Sequence, residues 1–331
     1  MKKIDYEYIR NNEDENVCVS VLVLVYNHAL FLRQAMDSVL MQKTQYSYKI
    51  VVGEDCSTDN SRDILMEYYQ KYPDKIELVL YKENVGAERN WIETAKVCSG
   101  KYIAYLEGDD YWTDPLKLEK QISFLEENKQ YIGTAHNVRC VDKNGKFLHR
   151  DFNLYAYQTS HIYDFSNVKR VELVGQTASM LHKNIWKKFN KEDWENFLLC
   201  NTNGDLKMSL VLGNMGSIYY LCDIMSDHRR VFDEGDSWTA QNTGKNMLWF
   251  NFQTSLELQK YMMEAFNIDL EIDLEKISQH YLKESVIQVL YKPIMENFNI
   301  LCKFYSDRKK REWSKLKSGL LSKINTTSRN I

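Results

Sequence analysis

From Val17 to Tyr26 the chain reads VCVSVLVLVY, an almost unbroken β-branched and apolar run. A strand with one wet face alternates in polarity, so a run without alternation predicts a strand covered on both faces. Leu32, Met36, Val39 and Leu40 then recur at helical spacing. Further strands are predicted at Lys49 to Gly53, Ile76 to Tyr81 and Lys101 to Leu106, separated by helical stretches at Ser61 to Tyr72 and Ala87 to Val97. Asp114-Pro115 reads as an N-cap with proline at the first helical position, and Leu118, Ile122 and Leu125 supply the buried face that follows. This β-α-β-α order predicts an α/β fold with a mostly parallel twisted sheet flanked by helices.

Past Glu127 the regularity weakens. Gly133 to Val141 and Gly145 to Arg150 flank Lys143-Asn144 as a hairpin would, and Val171 to His182 reads as one strand. Leu206 to Leu212 reads as helix and Ser217 to Cys222 as strand. From about Lys245 the pattern is helical throughout. The division expected is a catalytic part over 1–244 and a helical C-terminal region over 245–331.

Composition adds little to this: 44% hydrophobic and 27% charged residues are ordinary for a globular chain of 331 residues. A formal net charge of -3 gives no reason to expect nucleic acid as a partner. Charge is unevenly spread, however. Residues 301–331 carry nine Lys/Arg against Asp307 and Glu312, a net +7, with Phe304, Trp313, Leu316, Leu320, Leu321 and Ile324 among them. Two accounts fit that tail: a helix packed on the catalytic part or on a second subunit of a homo-oligomer, or a helix lying on anionic lipid. The seven cysteines form no CxxC pair, as expected of reduced thiols in the cytoplasm. Met1 to Asn16 lacks the apolar core of a signal peptide, and no run approaches the ~18 to 20 apolar residues of a membrane helix. A cytoplasmic protein is expected, with peripheral contact on the inner face of the membrane left open.

In open parallel sheets ligands bind at the carboxyl ends of the strands. Here the first strand is followed by Tyr26-Asn27-His28, the second by Glu54-Asp55-Cys56-Ser57-Thr58-Asp59, and the fourth by Glu107-Gly108-Asp109-Asp110-Tyr111-Trp112. Asp59 fits a cap for the next helix, but Glu54 and Asp55 repel one another unless donors or a cation offset them. Glu107, Asp109 and Asp110 form a hard oxygen-ligand cluster suited to Mg2+ or Mn2+. There is no GxxxxGK[ST] and no GxGxxG after the first strand, which counts against a P-loop NTPase and a dinucleotide oxidoreductase. Acids without a glycine cradle suggest a diphosphate neutralised by a carboxylate-held cation.

Those strand ends, together with Val19 to Asn27 and Asn84-Val85-Gly86-Ala87-Glu88-Arg89-Asn90, resemble the successive motifs of family 2 glycosyltransferases with the GT-A fold. The resemblance covers roughly Asn16 to Trp238. It implies an inverting glycosyltransferase that moves a sugar from a nucleoside-diphosphate sugar, UDP-linked by analogy, to a glycan or lipid-linked acceptor hydroxyl in surface polysaccharide biosynthesis. By the same resemblance Tyr26 and Asp55 line the base and ribose, and Arg89 and Asn90 lie in the segment closing over the nucleotide. Glu107-Gly108-Asp109 occupies the DxD motif, with Asp109 as the metal ligand. Glu107 departs from the pattern, and its extra methylene shifts it toward a ribose or water contact.

Asn203-Gly204-Asp205 is similar to the region of the catalytic base, which assigns that role to Asp205, although Asp205 also fits a plain helix cap. Arg229 and Arg230 suit a diphosphate, and the pattern does not decide which of His228, Arg229 and Arg230 points inward. Glu234 to Trp238 corresponds by resemblance to a mobile diphosphate-contacting segment. Trp112 and Trp238 fit either sugar stacking or core. The other histidines show no metal-ligand spacing, His28 after the first strand included. Two rival classes remain: a nucleotidyltransferase, which would carry a glycine-rich basic loop where Tyr26 to Leu30 stands, and a nucleotide-sugar-binding module without activity.

Overall fold

The computed structural model describes residues 4–12, 16–148, 157–200, 202, 204–231 and 247–272. The chain divides into two compact units, Met1–Leu199 with Asn203–Thr243, and Cys200–Thr202 with Gly244–Ile331.

The first unit is built on a ten-stranded sheet. Its strands are β1 (Tyr6–Ile9), β2 (Val19–Val25), β3 (Tyr48–Glu54), β4 (Ile76–Tyr81), β5 (Tyr102–Glu107), β6 (Tyr111–Trp112), β7 (Gly133–Val141), β8 (His161–Tyr163), β9 (Leu181–Lys183) and β10 (Ile218–Arg229). The order is β1-β4-β3-β2-β5-β9-β7-β10-β6, with β8 also on β10. β4, β3, β2 and β5 are parallel, with Val21 opposite Ile50 on one side and Ala104 on the other. β9 runs antiparallel between β5 and β7, and β10 returns parallel to β7.

The unbroken run of β2 is explained by its place. Val19, Val21, Val23 and Val25 pack into the core with Leu32, Met36 and Val39 of helix α1 (Leu32–Leu40), and Leu22 is buried on the other face. Full burial of such side chains is worth about 1.5–3 kcal/mol each. Helices α2 (Ser61–Lys71), α3 (Ala87–Val97) and α4 (Lys117–Glu127) follow β3, β4 and β6. The chain runs outward from β2 through β3 to β4, then returns to the other side of β2 as β5. That reversal opens a crevice at the carboxyl ends of β2 and β5.

Several expectations are corrected. Asp114 does not cap α4: its Oδ1 accepts Leu116 N at 2.8 Å in the preceding turn, and the helix begins at Lys117. The hairpin at Lys143-Asn144 closes only to a single bridge, Val141 to Phe147, and residues 149–150 lie outside the described set. Residues 171–180 are not a strand. Val171 sits at φ 59° and a 3-10 turn occupies Thr177–Ser179, so only Leu181–Lys183 pairs. The helix expected from Leu206 is longer, as α7 (Gly204–Met215), and is preceded by α5 (Phe165–Lys169) and α6 (Lys191–Leu199). The strand expected to end at Cys222 continues to Arg229, past register shifts between Leu221 and Ser226. Trp112 is core, 1% exposed, with the Lys117 ammonium 4.2 Å over its ring.

In the second unit α8 (Met247–Phe266) is the described helix, and Leu270 N donates to Gln259 Oε1 at 3.0 Å. No described helix is long and apolar enough to cross a membrane. Residues 232–246, with Trp238, and the basic tail at 301–331 lie outside the described residues.

Two interior contacts carry predictions. A Cβ on Gly53 would meet Asn90 Oδ1 at 2.0 Å and Thr94 Oγ1 at 2.2 Å, because α3 lies directly on β3. Gly53→Ala is expected to cost about 1–3 kcal/mol by overpacking, read as a lower midpoint in thermal denaturation. The second is a buried chain in which Trp186 Nε1 donates to Tyr105 Oη at 2.8 Å and Tyr105 pairs with His182 Nε2 at 2.7 Å. His182 Nδ1 meets Lys183 O at 2.7 Å, so it carries the proton and Nε2 accepts from Tyr105. Burial pulls the imidazole down to about 4, the bond to Lys183 opposing. Its contribution is therefore present above its ordinary value near 6.5 and lost as pH falls through 4, an acid-side loss of ~3 kcal/mol. Denaturant titrations at pH 7 and pH 4 should show a shallower acid limb in His182→Gln than in the wild type.

Candidate active site

Two strand-end loops form one side of the crevice, and they are sewn together. Asn27 and Cys56 both hold the left-handed backbone, each at φ 56°. Asn27 N donates to Ser57 Oγ at 3.0 Å, and Thr58 N returns a bond to Asn27 Oδ1 at 2.8 Å. His28 N donates to Ser61 Oγ at 2.9 Å and Ala29 N to Asp59 Oδ2 at 2.9 Å. Asp59 also holds Ser61 N at 2.9 Å, so it anchors the start of α2 and ties the loops at once. Tyr26, the first residue after β2, is half-buried beside them.

The repulsion between the acids of the second strand end is offset locally. Glu54 is fully buried, accepts Ser57 N at 2.6 Å and pairs with Arg62 Nε at 2.5 Å. Asp55 accepts Val85 N at 2.7 Å and Gly86 N at 2.9 Å, which fixes the loop before α3. Burial raises the Asp55 carboxyl, against those two backbone bonds.

α3 presents Arg89 and Asn90 differently. Asn90 is 2% exposed, and its Nδ2 donates to Gly53 O at 3.0 Å. In this structure Asn90 seats the helix on β3 and does not face the crevice. Arg89 is half-buried.

The third strand end is different in kind. One carboxylate oxygen from each of Glu107, Asp109 and Asp110 lies within 4.8 Å of the others. Asp110 is fully buried and committed: Oδ1 accepts Arg229 N at 2.7 Å, Oδ2 accepts Gln176 Nε2 at 2.9 Å, and both face His228 Nδ1 at 3.1–3.2 Å. Glu107 and Asp109 are half-buried without such a set of donors. Burial, then the charges of Asp109, Asp110 and Asp205, hold Glu107 well above the usual carboxylate range. Burial likewise raises Asp109, against an attraction from His28. A hard divalent cation fits this donor set, because it neutralises carboxylates that the fold leaves uncompensated.

His228 is the inward residue of its triplet. Burial lowers its pKa, but Asp110, Glu107 and Asp109 outweigh that and push it up to about 9. Protonated below about 9, His228 sets a positive charge beside the acids while its Nδ1 donates to Asp110. Arg229 instead turns away: it is 4% exposed, bonds Asp109 O and Gln34 Oε1 (2.8 Å), and lies 4.3 Å over the Phe31 ring. It supports the backbone of Asp109 from behind, so the diphosphate contact expected of Arg229 is not what this geometry offers. Arg230 is half-buried and pairs with β7 through its backbone, N to Val141 O at 2.8 Å.

Asp205, in the first turn of α7, completes the cluster. Thr177 Oγ1 donates to its Oδ1, and burial raises its carboxyl against that bond and against His228. Glu107, Asp110 and His228 all interact electrostatically with Asp205, which brings the start of α7 near the acids. Gln176 and Thr177 were not evident as site residues in the sequence. Both come from the stretch that reads as a strand, and only the 3-10 turn brings them in.

The model for "Glycosyl transferase family 2" matches residues 20–188. An uncharacterized protein of Mycobacterium bovis is 34% identical over 127 residues, 38% of this chain and 37% of that one. The chain thus matches little more than a third of the length of such relatives. The minor teichoic acid biosynthesis protein GgaB of Bacillus subtilis is 26% identical over 243 residues, 73% of this chain and 26% of its own. Among solved structures, S. aureus TarS in complex with UDP-GlcNAc superposes with a TM-score of 0.57 at 14% identity, over 87% of this chain and 80% of that one, a likeness of fold.

The Asp110–His228 pair can be tested without substrate. In metal-free protein followed by NMR, the His228 imidazole should titrate near 9. In Asp110→Asn it should titrate about a unit or more lower, because the nearest charge is gone and burial remains. An unchanged value would show that Asp110 does not set the histidine.

Proposed function

The chain belongs to glycosyl transferase family 2, and on that basis we propose that it transfers a sugar from a nucleoside-diphosphate sugar to a hydroxyl acceptor, with inversion at the anomeric carbon. One observation carries this reading: Glu107, Asp109 and Asp110 gather just past β5, beside β2, with Asp205 near enough for its charge to raise Glu107.

Each residue then has a task. Asp205 takes the acceptor proton as the oxygen attacks the anomeric carbon, and its raised carboxyl suits a base. The bond from that carbon to the diphosphate breaks, and its electron pair leaves on the phosphate oxygen. Thr177 holds Asp205 Oδ1 and so orients the carboxyl. Asp109, with Glu107 and Asp110 beside it, is suited to hold Mn2+ or Mg2+, and such an ion when bound supplies charge to the leaving diphosphate. Arg89 and Arg230 add positive charge near the donor, Asp55 and Tyr26 shape the base and ribose pocket, and Asn90 acts by seating α3. A UDP-linked donor is supported by the likeness in fold to a structure that carries UDP-GlcNAc. A surface-polysaccharide or lipid-linked acceptor is supported by the similarity to a protein named for teichoic acid biosynthesis.

A thermal-shift panel of UDP, GDP, CDP and TDP, with and without Mn2+, tests the donor site. One nucleotide with metal at about a hundredfold over its Kd should stabilise the wild type by about 2.7 kcal/mol, and Asp109→Asn should lose the effect. Absence of any shift in folded protein would remove the donor-site assignment. Asp205→Asn should keep the nucleotide shift while losing transfer, which separates an enzyme from a binding module.

A further inference from the structure

Arg89 and Asp205, assigned above to opposite partners of the reaction, sit in the first turns of two different helices. An ion pair joins those turns. Lys207 of α7 has no exposed side-chain surface, and its Nζ donates to Glu88 Oε1 of α3. The same ammonium donates to Phe197 O at 2.7 Å and lies 4.2 Å over the Phe197 ring. Glu88 keeps 31% of its side chain exposed. It follows Gly86 by two residues, and Asp55 holds the Gly86 amide at 2.9 Å. Gly86 sits at φ 85°, a conformation glycine adopts without strain.

Burying an ammonium is expensive, and a methionine of similar volume would fill the space over Phe197 without that cost. Lys207 therefore calls for an explanation other than packing. Its placement supplies one. From the amides held by Asp55, through Glu88 and Lys207, the contacts reach Asp205 within one helical turn at each end.

We propose that Glu88 and Lys207 are a positioning pair that couples nucleotide occupancy of the loop before α3 to the ordering of the first turn of α7. The proposal rests on the donor site described above. Neither residue touches the reacting atoms, and Lys207 acts through the helix that carries Asp205.

Hydrogen exchange read by mass spectrometry tests it. The probe is Mn2+ with whichever of UDP, GDP, CDP or TDP stabilises the wild type. In the wild type, nucleotide should slow exchange across residues 205–209 by about fivefold or more. The Glu88→Gln/Lys207→Met double variant removes both charges at nearly constant volume. It should bind the nucleotide with a similar Kd yet lose the protection of α7. Lys207→Met alone should behave like the double variant, since the pair acts as a unit and Glu88 can meet water. Nucleotide binding with equal protection in wild type and variants would overturn the pair while leaving the donor site intact. Binding to the wild type without any protection of α7 would overturn it too, whatever the variants do. If no nucleotide binds the wild type, the donor site fails and the coupling falls with it.

Discussion

Asp110 is the point on which the other parts of the site converge. It lies just past β5, is sealed from water, and accepts from Gln176, His228 and the amide of Arg229. These come from the turn before β9 and from the far end of β10, segments separated from it by 66 to 119 residues. A buried carboxylate without donors would cost several kcal/mol, so each of those segments has one arrangement that satisfies it and many that do not. Glu107 and Asp109 beside it are half-buried and lack such a set of donors.

That arrangement leaves the pocket electrostatically tense. Glu107, Asp109 and Asp205 are all held above the ordinary carboxylate range, burial being the first cause in each. A fold that raises carboxylates is at its best while they are protonated and loses stability as pH climbs past their ordinary range. His228 has the same sign at a higher pH. Held up to about 9, it contributes fully below about 6.5 and loses its contribution as pH rises through 9. Tension of this kind is what a metal-binding pocket presents before it is loaded, and it is prepared before any ligand arrives.

The parallel half of the fold was legible in the sequence because both-face burial writes itself as unbroken apolar runs. Val19–Val25 and Ile76–Tyr81 could be placed within a residue or two for that reason. The acid cluster was legible because three carboxylates in four positions have few structural uses. The second half was not, and the reasons are local. Val171 takes a left-handed backbone with a β-branched side chain, which no propensity argument anticipates. In β10, Cys222-Asp223-Ile224 is an exposed irregularity with shifted register on both sides. Strand side chains alternate in direction, so such shifts reset which residues face in. The choice among His228, Arg229 and Arg230 depended on that parity. Arg229 turned out to brace Asp109 from behind, and His228 to face the acids. Glu54 and Asp55 raised the opposite difficulty: they looked like a second charged cluster, and Arg62 with the amides of Val85 and Gly86 shows how they are offset.

The reciprocal bonds between the loops after β2 and β3 bear on how the protein can be re-engineered. Asn27 and Cys56 hold uncommon backbone conformations that the crossed bonds to Ser57, Thr58 and Asp59 help to maintain. A change in either loop alone leaves its partner with lost donors or acceptors. Replacing either loop in this scaffold would therefore mean transplanting residues 26–29 and 54–62 together, as one cassette from a single parent.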